Sequence, residues 1–356
     1  MTLNQSELSE KLKVLKSISV AKLNEEAQGV LLKDKMLIAN NFKTSIVVPL
    51  ADCEETESYI IPPKAIDFII GLPEGNVEIV NEDKQLTVKC GKIKSKFSTY
   101  DTELFPETNT NPPDEAKLLV NAKSVDLEKT VKQVMFACSK SNPSKPVHEG
   151  LMFESDGQVL NIVACDGYRM AWQKISNSNE FKIVLDKEAL QKAFAIAEED
   201  ISIYENDKKS IIIKAGDYEI CSKLYEAEKF VQYEKVYPKT HKISFKVNRN
   251  EILNCFNRLS LCISEKRKYP AVLEFNSETL NISTADEKVN INETLSLTEI
   301  NGNEEIKIGA NIDYMKEALK AASSDEVTFR MNSAGEAIAI TDDSLKQIIL
   351  PVRLKG

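Results

Sequence analysis

One pattern of apolar spacing runs through these 356 residues three times in the same order, and a repeat of domain length constrains the fold more than composition can. Each copy opens on apolar residues at helical spacing: Leu12, Leu15 and Ile18, then Leu127, Val131, Val134 and Met135, then Ile252, Cys255, Phe256 and Leu259. Alternating strands around a polar turn follow, at 36–49 (Asn40 and Asn41), 159–174 (Asp166 and Gly167) and 279–297 (Asp286 and Glu287). The spacing predicts a second helix over 63–70, 186–197 and 312–322, with Pro63, Asp186 and Asn311 as start signals. Each copy closes on an alternating hairpin: Val77 and Ile79 with Leu86 and Val88, Ile201 and Ile203 with Ile211 and Ile213, Val327 and Phe329 with Ile338 and Ile340. Ile201 stands 124 residues after Val77, and Val327 stands 126 after Ile201, a domain length in each case. Polar and proline-containing stretches at 107–115 (ETNTNPPDE) and 237–242 (YPKTHK) mark linkers. The chain reads as three similar α+β domains, 1–115, 116–240 and 241–356.

Charge narrows the function classes. A formal net charge of -9 and a pI near 5.2 exclude adhesion to nucleic acid by the whole surface, so any DNA contact must come from a local basic face. The first helices carry Lys11, Lys13, Lys16 and Lys22, then Lys129, Lys132 and Lys140, then Arg249, Arg258, Lys266, Arg267 and Lys268; the second helices add Lys64, Lys187, Lys192, Lys316 and Lys320. Glu10, Glu128 and Glu317 are interspersed. Each lysine singly reads as part of a solvated helix face, and a phosphate-attracting lining arises only if the helices share one channel. Aromatic residues, at 7%, are not interleaved with the cations, which disfavours base stacking on a single strand.

The N-terminal stretch mixes Glu7, Glu10, Lys11, Lys13 and Lys16 with apolar residues, unlike a signal peptide, and no run approaches the ~20 apolar residues of a membrane span. A cytoplasmic protein without membrane contact is the expectation. Cys53, Cys90, Cys138, Cys165, Cys221, Cys255 and Cys262 form no CxxC pair and sit mostly in apolar segments, as buried reduced thiols do. Only His148 and His241 could add imidazoles, so neither a metal site nor a cofactor is expected. His148, Cys165 and Asp166 are the rival argument for catalysis, but Cys165 and Asp166 are adjacent, and the chain has no glycine-rich phosphate loop or GxSxG elbow. No catalytic residue is assigned.

The segment 145–172, KPVHEGLMFESDGQVLNIVACDGYRMAW, resembles the middle-domain segment of bacterial β sliding clamps, the β subunits of DNA polymerase III, with their (A/T)TDG(H/Y)R(L/M)A turn. Here that turn reads Ala164-Cys165-Asp166-Gly167-Tyr168-Arg169-Met170-Ala171, and the terminal Leu350-Pro351-Val352-Arg353-Leu354 is similar to the family's PMRL ending. Phe105-Pro106-Glu107, Gly71-Leu72-Pro73-Glu74-Gly75, Phe230-Val231-Gln232-Tyr233, Val236-Tyr237-Pro238 and Ile308-Gly309-Ala310-Asn311 add matches spread over the whole chain.

The resemblance implies a non-enzymatic processivity factor: a head-to-tail homodimer of three-domain chains, closed into a six-domain ring with helices lining the hole and sheets outside, encircling double-stranded DNA. It implies Leu261 and Cys262 at the dimer interface, and Lys22, Lys132, Lys145, Lys192, Arg258 and Lys320 facing DNA. It further implies a groove that binds short peptides carrying a glutamine and two apolar anchors. The matching positions are Gly167, Tyr168, Arg169, Met170, Pro238, Asn311, Tyr314, Ile348, Leu350, Pro351, Val352 and Arg353. The implied partners are the DNA polymerase III α subunit, the clamp loader, and other polymerases and repair proteins. The chain departs from the pattern at Leu23-Asn24-Glu25-Glu26, where the family has Leu-Pro-Ile-Leu, at His148, where an apolar residue is usual, and at Lys355 and Gly356, which extend the terminus. These departures keep an alternative open, a specialised paralogue acting as a scaffold outside the main replicase.

Overall fold

Ten elements in the order strand, helix, four strands, helix, three strands recur three times in the computed structural model, which describes residues 1–19, 28–50, 57–106, 116–262, 270–276, 278–285 and 290–354. The first series is β1 (Thr2–Asn4), α1 (Gln5–Ser19), β2 (Val30–Lys33), β3 (Met36–Asn40), β4 (Thr44–Pro49), β5 (Tyr59–Ile61), α2 (Pro63–Ile70), β6 (Asn76–Glu82), β7 (Gln85–Cys90) and β8 (Ile93–Ser98). The second is β9 (Leu118–Lys123), α3 (Ser124–Met135), β10 (Gly150–Asp156), β11 (Val159–Cys165), β12 (Arg169–Ser176), β13 (Glu180–Asp186), α4 (Lys187–Ile196), β14 (Asp200–Asp207), β15 (Ser210–Ala215) and β16 (Tyr218–Lys223). A single-turn helix, α5 (Tyr233–Val236), precedes the third series: β17 (Ile243–Asn248), α6 (Arg249–Leu259), β18 (Ala271–Phe275), β19 (Thr279–Ala285), β20 (Asn290–Ser296), an extra β21 (Thr298–Asn301), β22 (Ile306–Ala310), α7 (Ile312–Ala321), β23 (Glu326–Met331), β24 (Ile338–Asp342) and β25 (Leu345–Ile349). Each series thus opens on a strand, where the sequence pattern predicted a helix. Ile243, Phe245 and Val247 alternate inward and pair β17 with β23 before Asn248 starts the helix. The linker 107–115, the turn residues Asp286 and Glu287, the departure at 23–26, and Lys266, Arg267, Lys268, Lys355 and Gly356 lie outside the described residues.

Two compact units form, Met1–Val125 with Glu188–Leu224, and Asp126–Lys187 with Tyr225–Gly356. The first holds an antiparallel sheet in the order β1-β6-β7-β8 and an eight-stranded sheet, β5-β2-β3-β4-β16-β15-β14-β9. The second holds a nine-stranded sheet, β13-β10-β11-β12-β25-β24-β23-β17-β21, and a four-stranded sheet, β20-β19-β18-β22. In the first unit α1 buries Leu8, Leu12, Leu15 and Ile18 on one stripe. In the second, Phe245 lies nearly parallel between Phe275 and Phe329, ring centroids 5.2 and 5.5 Å away, over Phe256 and Leu259 of α6. Side chains of this size set the core, since truncating a buried phenylalanine costs about 3–5 kcal/mol.

Local chemistry fixes where elements begin and turn. Asp34 and Lys35, and again Asp83 and Lys84, take the positive φ that a two-residue hairpin requires between β2 and β3 and between β6 and β7. Pro63 occupies the first turn of α2. Asn248 Oδ1 accepts the Asn250 and Glu251 amides, both at 3.0 Å, and Asn311 Oδ1 accepts those of Asp313 at 2.9 Å and Tyr314 at 3.2 Å, capping α6 and α7. The C-terminal segment covers the edge of β22, where the Val352 amide donates to the Gly309 carbonyl at 2.9 Å. Any side chain at Gly309 would collide with it, since a Cβ there would lie 2.3 Å from the Val352 oxygen. Among the described residues no helix is long and apolar enough to cross a membrane. Asn248→Ala and Asn311→Ala should each lower unfolding free energy by about 1 kcal/mol in chemical denaturation, with aspartate at either position preserving most of it; an unchanged midpoint for both alanine variants would remove the capping role.

Candidate functional site

The turn between β11 and β12 holds the most structured polar chemistry in the second unit. Asp166 Oδ1 accepts the amides of Tyr168 at 2.9 Å and Arg169 at 3.0 Å, an Asx turn that aims the chain back into β12. Gly167 sits at φ +94°, a conformation strained for any side chain. Tyr168 points outward, 64% exposed. Arg169 turns inward, with every guanidinium nitrogen engaged: Nε on Asp166 Oδ2 at 3.0 Å, Nη1 on the Glu317 carboxylate, and Nη2 on the Phe136 carbonyl at 2.7 Å. The plane lies 4.2 Å from the Tyr314 ring centroid and 5.2 Å from that of Phe136. Arg169 is therefore a buried tie between the residue that follows α3, this turn and α7, beside the groove lined by its neighbours.

That groove, about 750 Å³ in volume, opens beside the turn and is of a size for a few peptide residues. Its floor comes from a strand ladder: β12 pairs with β25 so that Met170 faces Ile348, and both side chains are buried in one apolar cluster with Val147 and Cys165. Val231, Val236 and Leu350 add apolar walls, while Lys145, Glu226 and Lys229 set charges at the rim. Gly150 admits this packing, since a Cβ there would lie 2.8 Å from the Tyr225 ring and 2.7 Å from the Leu185 carbonyl oxygen. Burial, reinforced by the Lys145 charge, pushes the His148 imidazole below its ordinary value, so it lines the groove as a neutral ring at pH 7. Burial likewise raises the Cys165 thiol, and raises Cys138 to about 12, which makes both poor nucleophiles.

Six expected groove residues converge here: Gly167, Tyr168, Arg169, Met170, Ile348 and Leu350. Others stand apart from the lining. Tyr314 stacks on Arg169, Asn311 caps α7, Val352 bridges Gly309, Arg353 is exposed, and Pro238 and Pro351 are half-buried. Lys145, expected to face DNA, lies at the groove rim. Lys132 is paired with Glu128 at 2.7 Å, and Arg258 binds Glu293 through Nε at 2.7 Å and Nη2 at 2.5 Å. Lys192 donates to Ser17 Oγ at 2.9 Å, and Lys320 is exposed on α7. Leu261 is 84% exposed. The Cys262 side chain and Lys22 lie outside the described residues.

Sequence reasoning assigned to this lining neither Ser144, Pro146 and Val147 nor the segment after β16, above all Tyr225 and Glu226. A signal existed: Tyr100 and Phe105 recur as Tyr225 and Phe230, each pair enclosing a 3-10 turn, Thr102–Leu104 and Ala227–Lys229. In both units this segment packs on the sheet, Phe105 among Leu31, Ile38 and Val47, and Phe230 among Met152, Val163 and Trp172. The equivalent ladder in the first unit, β4 with β16, faces Ser45 with Cys221 where Met170 faces Ile348, so no apolar floor arises there.

Comparison with known proteins decides the family. Residues 121–230 match the family model for the central domain of the DNA polymerase III beta subunit, and 234–353 the one for its C-terminal domain, together more than half of the chain. The chain belongs to the DNA polymerase III β sliding clamp family. Beta sliding clamps of Staphylococcus epidermidis and Staphylococcus aureus are 24% and 25% identical over 316 residues, 85% of this chain and 82% of theirs. Among solved structures, a putative DNA polymerase III beta subunit from Eubacterium rectale superposes with a TM-score of 0.90 at 21% identity, covering 99% of this chain and 98% of that one. The DNA polymerase sliding clamp of Pseudomonas aeruginosa gives 0.88 at 20% identity, covering 99% of both. The α+β clamp fold thus covers the whole chain, in a family of non-catalytic processivity factors.

Arg169→Ala should destabilise the second unit by about 3 kcal/mol in denaturant unfolding, because Asp166 is left buried without its counter-charge. Arg169→Lys should recover little, since one ammonium cannot reach three acceptors and stack on two rings. A wild-type midpoint for the alanine variant would contradict this role.

Proposed function

We propose that two copies of this chain, each divided into domains 1–115, 116–240 and 241–356, close head to tail into a six-domain ring around duplex DNA. Helices line the hole and sheets form the outside. The observation that carries this reading is a ladder that repeats along the chain. The strand β4 of the first series pairs with β16 of the second, and β12 of the second pairs with β25 of the third. The next partners in that progression are β20 of the third series and β8 of the first, and among the described residues each ends its own sheet without a neighbour on its outer side. An open edge strand is a template for pairing with another chain. A β20 to β8 contact between copies is heterologous, and it closes a ring after two. Counting along the equivalent strands puts Asn290, Ile291 and Asn292 opposite Lys96, Ser95 and Lys94 of the second copy. Leu261, exposed just after α6, supplies an apolar contact beside that junction.

The same reading makes the groove the tether. Its apolar floor fits the two apolar anchors of a short peptide, with polar contacts left to the rim and exposed backbone. Partners of this kind are the DNA polymerase III α subunit, the clamp loader, and other polymerases and repair proteins in the cytoplasm. Direct attraction to DNA is weak by design. Lys132 and Arg258 already hold carboxylates, and the net charge is -9. Grip on short linear duplex should be slight and fall with salt, with a log-log slope of ~0.9 per phosphate contact.

Solution mass should show a dimer at micromolar concentration, and Lys94→Cys with Asn292→Cys should cross-link two copies into a closed covalent ring under oxidation. A monomer that never cross-links would defeat the ring. Met170→Glu should reduce anchor-peptide affinity at least tenfold while the dimer mass is unchanged, because it places a carboxylate on the apolar floor. Full peptide affinity in that variant would refute the groove. Restored processive synthesis with a cognate polymerase and loader separates a replicative clamp from a scaffold acting elsewhere.

A further inference from the structure

One step beyond the groove floor, along the same two strands, positive charge gathers without a carboxylate to answer it. Met170 faces Ile348 in the groove, and Trp172 faces Lys346 two residues further on, about 7 Å away on the same sheet face. Lys346 Nζ lies 4.7 Å from the Trp172 ring centroid and 5.3 Å from that of Tyr237; Lys174 Nζ lies 4.8 Å from Trp172. Arg330 on β23 donates to Thr341 Oγ1 at 2.6 Å, beside the Tyr237 phenol, His241 and Lys346. Trp172 is held from below by Tyr233, 4.9 Å away, and by its Nε1 on Asn161 Oδ1 at 2.9 Å.

Other lysines on the sheets have carboxylate partners, among them Lys182 with Glu154 and Lys246 with Glu299. Among the described residues no carboxylate comes within ion-pairing distance of Lys174, Lys346 or Arg330. Asp156 faces Lys174 from the β10–β11 turn, but its Oδ1 accepts the Gln158 and Val159 amides at 2.9 and 2.8 Å. Burial, then Lys174 and Arg330, hold the Lys346 ammonium below its ordinary value, so the cluster repels itself and an incoming anion would relieve it. Both lysines lie on the Trp172 ring, which leaves it unavailable to stack a base and favours an anionic side chain over a single nucleic-acid strand.

We propose that Lys174, Lys346 and Arg330 form a receptor for the carboxylates of an acidic segment flanking the peptide docked in the groove. This rests on the peptide-groove reading and adds the chemistry of the partner beyond its anchors: glutamate and aspartate, held by cations on an aromatic platform.

The test uses the full chain and synthetic anchor peptides with a glutamine and two apolar residues, extended at either end by an oligoglutamate or an oligoglutamine tail. In fluorescence anisotropy at low salt the glutamate tail should tighten binding about tenfold at one end, and the advantage should shrink as salt rises. Lys174→Gln with Lys346→Gln should erase that advantage and leave the glutamine-tailed peptide unchanged, while arginine at both positions should preserve it. Equal affinity for the two tails on the unaltered protein, or an advantage that survives the glutamine variants, overturns the proposal and leaves the groove standing. A glutamine-tailed peptide that does not bind overturns the groove reading and the proposal together. Loss of duplex DNA affinity in the glutamine variants, without change in either peptide, would reassign the cluster to phosphates and overturn it as well.

Discussion

The ladder between β12 and β25 governs what this protein can hold. Its register sets Met170 against Ile348 and Trp172 against Lys346, so groove floor and cationic platform are alternate rungs of one ladder, on the same face. Each backbone hydrogen bond in such a ladder contributes only about 1 kcal/mol net, yet the register is worth more than its sum. A slip of β25 by one residue would send Ile348 and Lys346 to the opposite face, away from Met170 and Trp172. The same device joins β4 to β16 in the first unit, where Ser45 and Cys221 occupy the equivalent rung and the surface carries no apolar floor. One backbone arrangement therefore carries a polar rung in one place and the apolar floor of a groove in another, and the side chains on the rung decide which.

Charge follows a similar economy. Lysines and arginines on the helices suggested a basic lining, but Lys132 and Arg258 are paired with glutamates, and Lys16 binds Asp67. These pairs are exposed and contribute little stability each, so phosphates can compete for the same cations at modest cost. In the proposed ring, exchangeable pairs of this kind would let an acidic particle hold DNA loosely and leave retention to the closed path around the duplex.

Much of the architecture was legible because apolar period is a local property. The stripe Leu12, Leu15 and Ile18 and the alternation Val327, Phe329 and Ile338, Ile340 needed no tertiary information, and Pro63 and Asn311 marked helix starts by their own chemistry. The opening strands escaped notice because Leu118–Lys123 runs into α3 without a turn residue between them. The strand β8 reads as polar, with Lys94 and Lys96, and among the described residues it ends its sheet. In the groove, the Asp166 to Met170 turn was readable by resemblance, whereas Tyr225 and Glu226 come from an irregular segment with no period of its own. The inward turn of Arg169 depends on Glu317, 148 residues away, and no window of sequence contains that pairing.

In the proposed ring the molecule stays on DNA by topology. The most direct measurement loads the protein, with a cognate clamp loader, onto nicked circular duplex, cuts the circle once with a restriction enzyme, and follows the bound fraction by gel filtration. A closed ring should be released within the time of sliding off a free end, and retained on the uncut circle. Equal retention on cut and uncut DNA would contradict it.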